Sequence, residues 1–487
     1  MLRLACKIVV HEVDKQKPLI INFVNEIKIE ESWRSFTDTA TVRLPRFIQG
    51  ELEEFDVLDK KFRSRMLRWL QTHPDIEIYL GYETPRDLAF KGVIREIQGR
   101  VPVVLVCEDH MFFLKSKLLS QSYPIKVGKS LEYVSVFEFV SRHVAVFFEQ
   151  RKIALRSSAI VDLSLGSLVL KNHTVLDFFE LLKEEYGIYS FMRYVQTSVT
   201  TEGERTYIPV LCIGTEYEKL PVVSPVLSEA DWKSRPSFSN INFAALTSEE
   251  PLGFFRFHDN IIDDDLVYID YHNVKVRVKY VLQGKAESDK LSIVIPRPKP
   301  GDDEDDFEEY TYKFYDPSFK LTKQTLGGKT AKKIYVGDRM EMLDPVIRKV
   351  MKLAVKKFKQ LKYSGFRGSF TTFGETIYTT SEGEKVGDFI RPGDIIELRD
   401  QSKQGTIADF HLENQKYFVD AVEHSFGVNG YREVIFLGAN ADPDPRIRME
   451  QSVLETIEVA ILAEEGGSLL TANVKLEGVV MQSITKG

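Results

Sequence analysis

Residues 75–109 read DIEIYLGYETPRDLAFKGVIREIQGRVPVVLVCED and contain three runs in which apolar residues alternate with polar ones. A period of two is typical of a strand with one buried face. Three similar runs precede this stretch, MLRLACKIVV, NEIKIEESW and TDTATVRL. Residues 57–73, VLDKKFRSRMLRWLQTH, have helical spacing and predict a helix or long loop inserted among these strands. Six closely spaced strands predict a small barrel or sandwich over residues 1–112.

A second group of alternating or apolar runs covers residues 366–440. Its members are GSFTTFG, DIIELRD, QKYFVDAVEHSF and YREVIFLG. Pro392-Gly393-Asp394 and Asn429-Gly430 stand between these runs and supply the residues favoured in tight turns. The sequence therefore predicts a second β block near the C-terminal end of the chain.

The segment between the two β blocks begins with helical signals. Ser135-Val-Phe-Glu138 has the form of a capping box, and Thr174-Val-Leu-Asp177 is a variant with a shorter acidic side chain. Gly187 follows the apolar face of the second helix at the position of a left-handed C-terminal cap. These signals predict an α/β domain.

We assign residues 113–205 to that α/β domain. Residues 206–365 open with two apolar runs, TYIPVLCIG and LPVVSPVL, which we assign to the second barrel. A charged α/β insertion follows them and ends in a basic helix over residues 345–362. The expected fold class is mainly β with α+β.

The net charge of -7, from 65 Lys+Arg and 72 Asp+Glu, conceals two segments of opposite charge. Residues 302–309, DDEDDFEE, hold seven carboxylates. Residues 311–362 hold fourteen Lys or Arg against four Asp or Glu. The whole chain therefore has no overall attraction to nucleic acid, although the basic segment could act locally.

The basic helix has a clear start and one apolar face. Asp344 is placed as N-cap and Pro345 as first helical residue, and Gly365 is expected to cap the end. The apolar seam is formed by Ile347, Met351, Ala354, Phe358 and Leu361. The cations elsewhere on the helix are Arg348, Lys349, Lys352, Lys356, Lys357, Lys359 and Lys362.

Lys352, Lys356 and Lys359 are candidate interface residues on this helix. One interpretation is a face exposed to solvent or docked on an acidic surface such as residues 302–309. Another is a nucleic-acid-binding face, which would act through phosphate neutralisation but lacks interleaved aromatic residues for base stacking.

Residues 441–487 form a C-terminal docking extension in this interpretation. Asp444-Pro445 predicts a helix that carries Leu454, Ile457 and Ile461, and a strand follows Gly466-Gly467. The three apolar residues are further candidate interface positions, and the extension is expected to bind a spike or a neighbouring protomer.

No motif for catalysis or for cofactor or metal binding stands out. Cys6, Cys107 and Cys212 are too far apart for a disulfide framework or a zinc ribbon. GGKT at 327–330 lacks the first glycine of a phosphate-binding loop, because position 323 is Lys. We therefore expect no enzyme activity, no cofactor and no metal. The alternative function is a cell-wall (peptidoglycan) hydrolase, whose paired carboxylates a sequence cannot reveal.

The two β blocks together resemble a known family. Gly81-Tyr82, Phe-Lys-Gly-Val-Ile at 90–94 and the strand ending in Cys107-Glu108-Asp109 resemble the opening barrel of the phage late control protein D family. FRGSFTTFG, IRPGDIIEL, YFVDAVEHSF and GYREVIFLGA, between residues 366 and 439, resemble its closing barrel. Members of this family are baseplate hubs of contractile tails and the N-terminal part of VgrG spikes of type VI secretion.

The resemblance implies two tube-like β-barrel domains with the α/β region between them, the second closing over residues 366–440. It also implies a homotrimer that joins a six-fold tail tube to a three-fold spike. The implied partners are a tail tube protein, a separate spike protein and other baseplate proteins, with DNA or cargo passing through the channel. No membrane partner is expected. The resemblance and the lack of a signal-peptide pattern imply synthesis in the bacterial cytoplasm and assembly into a virion baseplate or injection particle.

Overall fold

The structure is a computed structural model of the chain of 487 residues. It describes residues 3–13, 15, 17–49, 54–85, 87–99, 101–127, 130–147, 154–157, 164–199, 205–217, 253–257, 260–270, 273–286, 288–296, 306–321, 344–374, 377–380, 383–386, 390–399, 415–442, 458–465 and 468–475.

The N-terminal block contains the six predicted strands and the inserted helix, so these predictions are confirmed. Its elements are β1 (Leu4–His11), β2 (Leu19–Ile21), β3 (Glu26–Ser32), β4 (Thr39–Leu44), β5 (Phe47–Gln49), β6 (Glu54–Asp56), α1 (Lys60–Thr72), β7 (Asp75–Tyr82), β8 (Asp87–Gln98) and β9 (Val103–Glu108). The burial of β3 alternates along the strand as the sequence pattern requires.

The next segment mixes helices and strands, as expected. Its elements are α2 (Phe112–Lys115), β10 (Leu118–Tyr123), β11 (Ile125–Val127), β12 (Ser130–Glu132), α3 (Val136–Phe139), β13 (Ala154–Ser157), β14 (Leu168–Thr174), α4 (Val175–Tyr186), β15 (Ile188–Val199) and β16 (Arg205–Thr215). After α3 the chain continues through a π turn, Val140–Val144, and a 3₁₀ turn, Ala145–Phe147. The capping box of Thr174 with Asp177 and the left-handed Gly187 are both present at α4.

The remaining elements are β17 (Gly253–Arg256), β18 (Ile261–Asp264), β19 (Val267–Ile269), β20 (Val276–Gln283), β21 (Lys290–Ile295), β22 (Glu308–Tyr315), α5 (Pro345–Leu361), β23 (Gly365–Arg367), β24 (Ser369–Phe373), β25 (Ile377–Thr380), β26 (Gly383–Val386), β27 (Ile395–Arg399), β28 (Gln415–Gly427), β29 (Gly430–Asp442), β30 (Glu458–Glu465) and β31 (Ser468–Lys475). The four runs predicted in the second β block are β24, β27, β28 and β29.

One large sheet of thirteen strands joins the two β blocks. Its main path runs β18-β24-β29-β28-β3-β4-β9-β8-β7-β1-β2, and β27 links β17 to β28. The join is the antiparallel pair of β3 with β28, in which Ile29 lies opposite His424. The mainly β class is confirmed. The path ends at β18 on one side and β2 on the other, so the described residues form no closed barrel.

The hairpin of β28 and β29 contributes to two hydrophobic cores. Near its turn, Phe426 and Tyr431 pack with the N-terminal strands around α1 and β1. Farther along, Val422 and Ile435 pack with residues of β17, β24 and β27. We call these the N-terminal β core and the C-terminal β core. A single hairpin thus holds two separate cores together.

A buried polar pair lies between those two cores along the hairpin. His424 and Glu433 face each other across the ladder, with Nδ1 of the histidine 3.4 Å from Oε1 of the glutamate. Tyr431 donates a hydrogen bond of 3.2 Å to the same glutamate. Buried ionisable groups are tolerated when they have partners, and here each of the two groups lies beside the other in the interior of the sheet.

A third core, the α/β core, contains residues of α3, α4 and α5 and of the strands β20, β21 and β22, and the backbone of β21 continues this sheet to β30 and β31. The run TYIPVLCIG forms β16, which pairs with β13 and β15 rather than with the second β block, and its Leu211 and Ile213 pack in the α/β core. Its assignment to the second barrel is therefore wrong, whereas β17 and β18 do join the large sheet. The run LPVVSPVL lies outside the described residues.

Candidate partner-binding surface on helix α5 and its sheet

Helix α5 begins and packs as its sequence predicts. The Asp344 carboxylate accepts a hydrogen bond of 2.8 Å from the Val346 N–H, and Pro345 occupies the first turn. The predicted seam is buried except for Leu361, which is half-buried, and Val350 adds to it. Helix α5 packs on β20 and β21 through this face. The opposite face is therefore turned away from the sheet.

The end of α5 differs from the prediction. The helix ends at Leu361, and Lys362 follows it in an extended conformation. Gly365 instead begins β23, where an added Cβ would lie 2.6 Å from Oε1 of Gln415 and 2.7 Å from the Tyr417 hydroxyl. This glycine is thus required for close packing rather than for a helix cap.

The cations of α5 divide into an inner and an outer group. Lys357 forms an ion pair with Glu216 and lies 5.9 Å from the centre of the Tyr312 ring, so it belongs to the interior side. Lys352 and Lys356 are exposed. Lys359 is partly exposed, and its partial burial lowers its pKa. Two of the three candidate lysines, Lys352 and Lys356, are therefore available to a partner.

Lys349 also lies on this face, although the sequence-based selection omits it. It is exposed, and its ammonium is 5.7 Å from the centre of the Phe314 ring. Positions 349, 352, 356 and 359 are spaced 3, 4 and 3 apart, which places them in one row about 15 Å long at 1.5 Å per residue. We call this row the lysine stripe. The helical spacing of these four positions is the sequence signal that could have identified Lys349 as a member of the row.

The acidic run does not cover the lysine stripe in the part of it that the structure describes. Asp306 pairs with Lys275, just before β20, at 3.1 Å, and Glu309 pairs with Lys279 in β20 at 3.8 Å. Residues 302–305 lie outside the described residues. Docking of α5 on residues 302–309 therefore stays a prediction, and the two carboxylates with described ion pairs are bound elsewhere.

The C-terminal extension reaches the same sheet but not as predicted. Ile461 lies in the strand β30, where its backbone pairs with Ile293 of β21, so the predicted helix is wrong at this position. The short run EVAILAEE is ambiguous in period, and pairing with a neighbouring strand decides its form. The following strand, β31, is confirmed. Leu454 and Ile457 lie outside the described residues.

The surface therefore has two components on one sheet. Strand β21 contacts α5 through its packing face and pairs with β30 along its edge. The structure thus brings the element that carries Ile461 and the helix that carries the lysine stripe onto a shared support. Such a support could position a charged row rigidly against a partner of opposite charge.

The described residues give no indication of a metal site or of a membrane-spanning helix. In these segments no group of three or more His, Cys, Asp or Glu side chains is arranged to hold a metal ion. No helix in the same part of the chain is long and apolar enough to cross a membrane. Cys6, Cys107 and Cys212 are buried, and none of these three forms a disulfide bond.

Comparison with known proteins gives similarities in structure at low sequence identity. Neither a protein-family model nor a curated protein matches the chain. A tail protein from Neisseria meningitidis is similar over 90% of this chain and 96% of its own, with 13% identity and a TM-score of 0.47. A 43 kDa tail protein of prophage MuSo2 from Shewanella oneidensis is similar over 89% of this chain and 98% of its own, with 10% identity and a TM-score of 0.43.

A third similar structure is a component of the type VI secretion system of E. coli, described as similar to the T4 bacteriophage tail proteins gp27 and gp5. It covers 89% of this chain and 76% of its own, with 8% identity and a TM-score of 0.39. All three belong to the class of phage tail and type VI secretion proteins. The motifs in the sequence resemble a family of the same kind of protein.

Proposed function

We propose that this chain is a structural, non-enzymatic hub of a contractile phage tail or related injection system. It acts as a homotrimer that joins a six-fold tail tube to a three-fold spike. The observation that carries the proposal is the hairpin of β28 and β29, which binds two β cores into one sheet. Three chains with two β cores each present six β bodies, and this number matches a six-fold tube while the trimer itself keeps three-fold symmetry.

The sequence motifs support the same proposal. The residues that resemble the late control protein D family include the Phe-Lys-Gly-Val-Ile run in β8 and the end of β9, and those of the second group lie in β24, β27, β28 and β29. The two groups thus lie in the sheet that holds both β cores. In this proposal each core contributes one tube-like wall segment, and neighbouring chains cover the sheet edges.

The oligomeric state tests the proposal. Mass photometry of the purified chain should give a particle of about 168 kDa, three times the 56.0 kDa of one chain, and with its spike a particle heavier by the mass of the bound spike. Electron microscopy of that particle should show a ring with six peripheral bodies. A stable monomer in both conditions would refute the trimeric hub. A cleared band in a peptidoglycan zymogram, abolished by one Asp or Glu substitution, would replace it with the hydrolase.

Within this function, the lysine stripe is the proposed contact for an acidic partner in the particle. Lys352 and Lys356 are exposed and have no ion pair among the described side chains, and the exposed face offers no aromatic ring for base stacking. These features favour an acidic protein surface over nucleic acid. The partner is the tail tube, the spike or another baseplate protein.

Reversing two charges tests the contact. The double variant Lys352→Glu and Lys356→Glu should remain trimeric but lose co-assembly with spike and tube proteins, most strongly at low salt. The matched control is Lys60→Glu with Lys61→Glu, which reverses two exposed charges on α1. Unchanged co-assembly in the α5 variant would refute the contact. Salt-sensitive DNA binding that this variant alone abolishes would identify a nucleic-acid-binding face instead.

A further inference from the structure

The turn at residues 390–394 lies where the three cores meet. From this turn the Arg391 guanidinium reaches the N-terminal sheet, donating 2.5 Å to Oε1 of Glu31 on β3 and 2.7 Å to the carbonyl of Leu88 on β8. The Glu31 side chain is only 3% exposed. The turn therefore inserts a charged side chain between strands of the large sheet that are far from it in sequence.

The backbone of the same turn binds the other two cores. The Pro392 carbonyl accepts a hydrogen bond from Arg193 of β15, beside the α/β core. The Gly393 N–H donates 2.7 Å to the carbonyl of Val419 in the C-terminal β core. Within the turn, the Asp394 carboxylate accepts a hydrogen bond of 2.7 Å from the Arg391 N–H. The turn thus ties three separately packed bodies together.

Carboxyl groups outnumber guanidinium groups around this turn. Asp38 and Asp109 form a close pair, since the Asp38 N–H donates 3.2 Å to Oδ2 of Asp109. Oδ1 of Asp38 in turn accepts 3.2 Å from the Ser32 N–H. The second carboxylate oxygen of Glu31 is buried and has no hydrogen-bond partner. Four carboxyls therefore face two guanidiniums.

The ionisable groups at the turn are Arg391 and Asp394 in the turn itself, Glu31 on β3, Asp38 before β4 and Arg193 on β15. Asp109 adjoins Asp38, and Glu108, His110 and Tyr194 lie beside Asp109. Glu108 is paired with Arg95 and Lys115 on its outer side, at 2.5 Å each. The remaining excess of negative charge is thus concentrated on Asp38, Asp109 and Asp394.

We infer that the turn at residues 390–394 is a proton-sensitive latch that holds the C-terminal β core on the N-terminal sheet and on the α/β core. With protons on part of the carboxyl cluster, the two guanidiniums balance the remaining charge and the turn is held. When the cluster loses these protons, buried like charges repel one another and the turn is released. This inference does not depend on the proposed hub function.

The direction of the pH dependence follows from the same groups. Burial, and then the nearby Glu31, raises the pKa of Asp38 to about 7, and burial raises the pKa of Asp394 to about 6. Burial and Asp38 also raise the pKa of Asp109. Because these pKa values exceed those of the unfolded chain, the stabilisation is full below about pH 4 and is lost as the pH rises through 6 and 7.

Hydrogen exchange at the turn tests the latch in the full-length protein. The Arg391, Gly393 and Asp394 amides are all hydrogen-bonded within or from the turn. After correction for the intrinsic dependence of exchange on pH, we expect their protection to fall about tenfold or more between pH 5.5 and pH 8. Amides inside α4 serve as the internal reference. Equal protection of the turn at both pH values would overturn the inference.

A variant separates the latch from unrelated titrations. Asp38→Asn with Asp394→Asn keeps hydrogen-bond acceptors but removes two of the three ionisations and leaves that of Asp109, so the loss of protection of the turn between pH 5.5 and pH 8 should become much smaller than in the wild-type protein. The matched control is Asp263→Asn with Asp264→Asn on the edge strand β18, where both side chains are exposed, and it should keep the wild-type profile. A turn that loosens with pH in the Asp38 variant as much as in the wild-type protein would refute the latch. If that variant does not fold, the wild-type exchange profile alone decides.

Discussion

Replacing Gly393 by alanine should destabilise the protein by about 2–5 kcal/mol. Gly393 has a φ of +93°, a region in which a residue with a Cβ is strained by about 1–2 kcal/mol. The added Cβ would also lie 2.6 Å from Cζ2 of Trp33. Trp33 is nearly fully buried and its ring is 4.1 Å from that of Phe191, so it has little room to move. Overpacking of this kind adds about 1–3 kcal/mol.

The matched control is Gly430→Ala. Gly430 has nearly the same φ, +96°, but its added Cβ would meet nothing closer than Arg432 at 3.9 Å. This control should therefore lose only the strain of about 1–2 kcal/mol. Urea unfolding of both variants, followed by tryptophan fluorescence and far-UV circular dichroism, measures the difference. Equal destabilisation of the two variants would refute the close contact between the turn and Trp33.

Two further changes test the α/β core and the acid stability of the N-terminal block. Phe358→Ala should lower the free energy of unfolding by about 3–5 kcal/mol, because this ring is fully buried between α5 and its sheet. The control Lys356→Ala, at an exposed position of the same helix, should change it by less than about 0.5 kcal/mol. Similar losses of the two variants in thermal denaturation would contradict the packing of the helix. Although burial opposes it, hydrogen bonds from Arg65 and Trp69 lower the pKa of Glu12 to about 2. The ionised carboxylate therefore stabilises the fold at pH values above its pKa in the unfolded chain, and this stabilisation is lost as the pH falls toward 2. Glu12→Gln should lower the free energy of unfolding by about 2 kcal/mol at pH 7 and reduce the loss of stability that the wild-type protein shows in acid. An acid limb that matches the wild type would refute this role.

Local signals in the sequence predicted the helices that have clear ends. Thr174 and Asp177 satisfy each other's backbone N–H groups, and Asp344 with Pro345 starts α5, because capping depends on residues only a few positions apart. Most strands of the large sheet were also predicted, although the short strands β2 and β17 were not, since a sheet with one buried face imposes alternation on each longer strand by itself.

Interactions between distant residues could not be predicted in this way. The strand containing Ile461 forms because β21 offers an edge, and nothing within the run itself specifies that edge. In the carboxyl cluster, Glu31 and Asp38 lie near Asp394, although most of the chain separates them in sequence. No periodicity in the sequence relates residues so far apart. The turn residues at 392–394 were identified as a tight turn, but the arginine before them gave no sign of its buried partner.

The lysine stripe was predicted only in part for a related reason. Helical spacing assigns each cation to a side of α5, yet Lys357 is held by Glu216 from a strand terminus that the spacing does not reveal. The exposed row could be identified because its lysines recur at helical spacing on the face of α5 opposite the apolar seam. Charge alone did not separate the inner cation from the outer ones.

The pairing of β3 with β28 has a consequence for how the chain is made. Translation at about 5–20 residues per second produces β28 roughly 20–80 seconds after β3, so the edge of β3 waits unpaired during synthesis. An unpaired strand edge has free backbone N–H and C=O groups that can pair with strands of other nascent chains. Exposed Lys28 and half-exposed Glu30 lie on this strand, and the lysine later pairs with Glu423 of β28 at 3.4 Å. The charges that help to hold the completed sheet thus also protect its unfinished edge on the ribosome.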